Sequence, residues 1–217
     1  IAGTLTARAT SQIMKTALKL AGFKSIPADS EIHVKGRRVR KVLVSINVGV
    51  GELLLARNLE CDAVIAHHPA GGTAMLQGYK VFQRHVEQLR EVGVLAEAAE
   101  EAVKPKYQLD LQHHSDIYDQ TPVAAKKLRM PLVSIHSPCD EASRKIILRW
   151  IKSLADDITV GELVKHLSRI PEYRKARTKI EVRLGTAKNK AGRVAVSHAA
   201  YTNGGYDIAK CYIKHGI

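Results

Sequence analysis

No apolar run in this chain approaches the ~20 residues that a membrane-spanning helix needs, and its opening text, IAGTLTARAT, lacks the charged-then-apolar order of a secretory leader. It begins on Ile1 without an initiator Met, as expected of a processed or partial chain. The three cysteines, Cys61, Cys139 and Cys211, are scattered and form no CxxC. That excludes a disulfide framework and points to a reducing, cytoplasmic compartment. Each cysteine is expected to be a small buried hydrophobe. GxxxxGK[ST], GxGxxG after a strand, and GxSxG are all missing, so the familiar phosphate-cradling loops and nucleophile elbow are excluded. Aromatics are only 5% and are not interleaved with the basic runs, as a base-stacking platform would require. The net charge of +13 nevertheless keeps nucleic acid or another polyanion as an alternative partner. Because the basic runs (KGRRVRK at Lys35, RKARTK at Arg174) are spread along the chain, solvated surface is the preferred reading.

What is present is ordinary for a folded domain: 217 residues, 45% hydrophobic and 25% charged, enough for a sizeable core. Helical spacing predicts a helix over 11–20, with Thr10 or Ser11 as cap and Gly22 as stop. Residues 26–36 read as a loop or short strand, Val39–Val48 as a buried strand, and 52–58 as a short helix. Residues 75–104 read as one or two helices broken near Gly93, and 107–119 as loop. A helix over 122–129 precedes the apolar run PLVSIH. Helices are expected at 140–154 and at 160–167, the latter with a Thr159/Glu162 capping box that Gly161 weakens. A basic connector over 171–179, strands over 180–184 and 193–197, and a last helix over 206–215 opened by Asn203-Gly204-Gly205 complete the reading. Alternation of strands and helices predicts an α/β fold with a largely parallel or mixed sheet. The expected division is a first α/β lobe over 1–143, a helical connector over 144–179 and the start of a second α/β lobe over 180–217.

The chemistry concentrates at two strand ends. In CDAVIAHHPAGG the apolar run stops at His67-His68, before Pro69, which cannot donate to a ladder. In PLVSIHSPCD a second apolar run stops at His136, with Asp140 four residues on, across a Pro turn. Carboxyl ends of strands are where α/β sheets bind ligands. Imidazoles with a carboxylate suit Zn, Fe, Mn or Ni and suit Ca poorly. Neighbouring strand residues point to opposite faces, so His67 and His68 share a site only if the strand bends at Pro69, or if each serves a different ion of a pair. Hydrogen-bonded histidines closing strand ends are the simpler alternative. His113-His114 reads as surface, and His198, ending RVAVSH, as a candidate extra ligand. The glycines at 204–205 read as a tight turn rather than an anion site.

CDAVIAHHPAGG and MPLVSIHSPCDEAS resemble the two metal-binding signatures of the NIF-three-like family (NGG-one interacting factor three), which is also named for GTP cyclohydrolase I type two. ALKLAG, the block from Ile26 to Leu59 and VGELVKHLSRIPEYRKA extend the similarity over essentially the whole chain. The resemblance implies two α/β lobes, ring-like hexamers and a site for two divalent ions. It assigns His67, His68, His136 and Asp140 as ligands, Asp140 as the candidate bridge. The family's remaining ligands come from a late Gly-His…acidic segment that does not occur before Ile217. Asn47 stands where related sequences usually carry an aspartate, and the family's Gly-rich turn falls at His198. By resemblance, the expected function is metal binding, with a dinuclear hydrolase acting on a nucleotide or phosphate compound. The alternatives are metal handling or an oligomeric scaffold, and then a basic nucleic-acid binder. No guanine-reading feature is visible.

Overall fold

The two apolar runs that end in histidine become the centre of the sheet. A computed structural model describes residues 6–108, 117–198 and 204–217. In chain order it has helix α1 (Thr10–Ala21), strands β1 (Glu31–Val34) and β2 (Val42–Ser45), α2 (Val50–Asn58) and β3 (Ala63–Ala66). Then come α3 (Gly72–Leu76), a 3-10 turn over Gly78–Phe82, α4 (Gln83–Glu91), α5 (Ala96–Val103) and a 3-10 turn over Lys104–Gln108. The chain continues with α6 (Gln120–Leu128), β4 (Leu132–Ser134), α7 (Ser137–Ile151), α8 (Val160–Leu167), α9 (Pro171–Lys175) and α10 (Gly205–Lys214).

The sheet order is β1-β4-β3-β2, with β2, β3 and β4 parallel and β1 antiparallel at the edge. Alternation decides which side chain goes to which face. Val64, Ala66 and Leu132 pack with Leu53 and Ala56 of α2 and Ala125 of α6. Val133, Ile135 and Ile65 face Met14, Ala17 and Leu18 of α1. A further core joins α4, α5 and α10 through Val86, Leu89, Ala99, Val103 and Ile208.

The α/β class is as expected; several local readings are corrected. β2 is an edge strand, not a buried one, with no strand beyond it among the described residues, and Val44 is 65% exposed. Thr10 does not cap α1: its hydroxyl takes the Gly36 N–H, while Gln12 Oε1 accepts from Ala9 N. Residues 180–184 and 193–197 join no ladder among the described residues. The first stretch is exposed on both faces, and the second is bonded by side chains instead. Half of the basic connector is the short helix α9. Helix α7 runs unbroken across the boundary placed at 143. The Thr159/Glu162 box is present, and Gly161 is explained, because its N–H bonds Ala187 O at 2.9 Å and a Cβ would press on that carbonyl. Cys211 is buried, but Cys61 is only partly covered and Cys139 is exposed. His113, His114 and Asn203 lie outside the described residues.

α4 and α7 are tied together by an ion-pair network. Arg144, 4% exposed, reaches Glu91 at 2.5 Å and Glu141 at 3.4 Å, and Arg84 reaches Glu141 at 3.1 Å. Glu141 is itself buried, so removing Arg144 strands much of a carboxylate charge away from water. Arg144→Ala is expected to cost about 3–5 kcal/mol in denaturant unfolding. A loss under about 1 kcal/mol would mean that Arg84 alone satisfies Glu141.

Candidate metal centre

The site follows from strand register. Ala66 pairs with Ser134, and Ile135 N still bonds Ala66 O at 2.9 Å, so β3 and β4 end level. The chain then bends through His67 and His68, whose N–H groups bond Ser45 O and Ile46 O, both at 2.9 Å. The bend turns both rings to one end of the sheet. Their centroids are 5.1 Å apart, and each faces His136, at 4.7 and 5.4 Å. One nitrogen from each of the three lies within 4.8 Å of the others.

Asp140 enters from α7. His136 directly precedes that helix, and a spacing of four residues places Asp140 on the same face one turn on. His67 Nε2 lies 3.3 Å from Asp140 Oδ1 and His136 Nε2 3.7 Å from Asp140 Oδ2. All four residues singled out in the sequence are thus brought together. His198 joins them, its Nε2 3.5 Å from Asp140 Oδ1.

Supporting contacts fix the ring orientations. Fully buried Asp29 accepts hydrogen bonds from His136 Nδ1–H at 2.9 Å and from the Ser137 N–H and hydroxyl at 3.2 and 2.6 Å. That leaves His136 Nε2 as the nitrogen turned to the site. Asn47 Oδ1, an acceptor, holds the Nδ1–H of His68 at 2.7 Å, so the amide that stands in the aspartate's place still orients this ring. On β1, Glu31 accepts the Ala74 N–H at 2.9 Å, and Ser134 Oγ takes the Ala70 N–H at 3.0 Å while meeting His33 Nε2 at 2.8 Å. These contacts clamp the glycine loop. Gly71, at φ 139°, lets that loop pass where a Cβ would lie 2.2 Å from Tyr118 O.

The charges are mutually set. The His67 pKa is pushed up to about 10, first by the Asp140 carboxylate beside it and then by Cys139. His68 is lowered, by burial first and by the neighbouring imidazoles second. Burial works to raise Asp140, but His67, His136 and His198 outweigh it and hold the carboxyl below its usual range. Near neutral pH the pair is a protonated His67 against an ionised Asp140, and a divalent cation binding here displaces that proton. Three imidazoles and a carboxylate are a donor set that fits Zn, Fe, Mn or Ni.

A solved structure, that of a NIF3 superfamily protein from Sphaerobacter thermophilus, superposes on this fold with a TM-score of 0.91 and 40% sequence identity, over 98% of this chain and 79% of that one. This chain belongs to the NIF3 superfamily. No protein-family model matches it, and no curated protein does. Among the described residues, no helix is long and apolar enough to cross a membrane.

Sequence reasoning missed Asp29, which lay in loop-like text 107 residues from its partner His136. Only a carboxylate flanked by Ser30 hinted at it, because an Asp-Ser pair after Pro27 reads equally well as turn chemistry. Asp29→Asn removes the charge that fixes the His136 tautomer. It is expected to weaken Zn2+ binding by about 10–100-fold, read by competition with a chromogenic chelator. Unchanged affinity would show that Asp29 serves the fold alone.

Proposed function

We propose that this NIF3 superfamily member is a divalent-metal-binding protein whose centre is His67, His68, His136 and Asp140, and that it works as a dinuclear metal-dependent hydrolase on a nucleotide or phosphate compound. The observation that carries the reading is the convergence of three imidazole nitrogens within 4.8 Å at the carboxyl ends of parallel strands, with Asp140 against them. When bound, divalent ions lower the pKa of a coordinated water and polarise the oxygens of a phosphate or ring substrate. The chain's own part is to present donors already oriented. Asp29 and Asn47 hold two rings by their Nδ1 protons, and α7 holds Asp140 at the cluster. A homo-oligomer, a ring-like hexamer or its dimer unit, fits the uncovered edge strand, where Val42, Val44 and Ile46 are exposed; Leu54, Leu55 and Leu59 are exposed as well.

Elemental analysis of the purified wild type beside His68→Ala tests the metal. Zn, Fe, Mn or Ni in the wild type and its loss in the variant is the expected result. Equal, near-zero metal in both would contradict the centre. A panel of phosphoesters and nucleotides then tests the chemistry. Metal-dependent turnover supports a hydrolase, and stoichiometric metal without turnover replaces that reading with metal handling or a scaffold.

A further inference from the structure

His198 belongs to none of the strands that build the cluster, yet its imidazole reaches Asp140. We propose that His198 is a further metal-ligating residue of the centre, delivered to Asp140 from the segment 194–198 by the buried side chains of Gln88 and Arg144; this rests on the metal-binding reading above.

Three observations carry it. The first is distance. A direct N–H···O bond to a carboxylate runs about 2.7–3.2 Å. Two donors of a tetrahedral ion with bonds of about 2.0–2.2 Å lie about 3.4 Å apart. The approaches of His67, His198 and His136 to the Asp140 carboxylate are 3.3, 3.5 and 3.7 Å. All three exceed the usual length of a charge-assisted hydrogen bond, His67 only slightly, and are close to the spacing of donors around one cation. His67 and His198 converge on the same oxygen, Oδ1, from different parts of the chain.

The second is the device that holds the residue. Gln88, 1% exposed on α4, uses both ends of its amide on the His198 backbone: Nε2 donates to His198 O at 3.0 Å, and Oε1 accepts from His198 N at 3.2 Å. Arg144 Nε donates to Val196 O at 2.8 Å. Two buried polar side chains thus replace the strand ladder that RVAVSH was expected to enter. A buried amide is tolerated only when its hydrogen bonds are made, and here both are spent on placing one histidine.

The third is donor chemistry. His198 is an imidazole, the same donor type as the three already gathered, and Asp140 is the carboxylate that His67, His136 and His198 approach. A residue that only filled surface would need neither the clamp nor the approach to a buried carboxylate.

The test uses Co2+ as the probe, because its visible absorption follows the number and type of its donors. Metal-free wild type, His198→Ala, His198→Gln and His68→Ala are titrated, and the thermal melt of each metal-free protein is recorded. The expected result is a Kd for Co2+ raised at least about tenfold in both His198 variants, with an altered visible spectrum and an unchanged metal-free melt. Wild-type affinity and spectrum in both, with binding lost in His68→Ala, would overturn the role of His198 and leave the metal centre standing. Metal-free melts lowered as much as affinity in both His198 variants would assign the residue to the fold and overturn it as well. No Co2+ bound by the wild type would overturn the metal-binding reading itself, and this assignment with it.

Discussion

Hydrogen-bond register between Ala63–Ala66 and Leu132–Ser134 is the constraint on which the site depends. Two parallel strands that end level must release their next residues at one edge, so His67, His68 and His136 meet because the ladder leaves them nowhere else to go. A slip of one residue would turn every side chain of β3 to the other face and carry Val64 and Ala66 out of the core. Burial of those residues and the position of the imidazoles are therefore one decision. The same hydrophobic term that folds the sheet, about 25 cal/mol per Å2 of apolar surface, also sets the register of the chemistry.

Around that edge the molecule sorts its buried carboxylates. Glu141 is neutralised by Arg84 and Arg144. Asp29 is absorbed by His136 and the Ser137 hydroxyl and N–H. Asp140 is different, because its neighbours are imidazoles, which can also serve as metal ligands. The first carboxylate holds structure in place, and the second orients the His136 ring. The third presents a charge to a cluster that can trade protons for a metal ion.

The sequence made the two strand-end motifs legible because both signals are local. An apolar run, a histidine and a proline within ten residues need no tertiary information. The same holds for Gly22, which stops α1 at φ 80°, and for the Thr159/Glu162 cap. What could not be read depends on partners far apart in the chain. Val39–Val48 looks buried by composition, but only its place in the strand order makes β2 an edge. RVAVSH has strand character, yet Gln88 and Arg144 take its backbone groups, and nothing in its own text announces them. Asp29 is the clearest case, since a single aspartate in a turn is indistinguishable from many others until His136 is folded onto it.

Anomalous diffraction from crystals of the metal-loaded protein, collected on either side of the Zn or Co edge, is the most direct test of the central claim. An anomalous peak is expected at bonding distance from His67, His68, His136 and Asp140, at the carboxyl ends of β3 and β4. A peak elsewhere on the chain, or none at this edge in a crystal soaked with the ion, would contradict it.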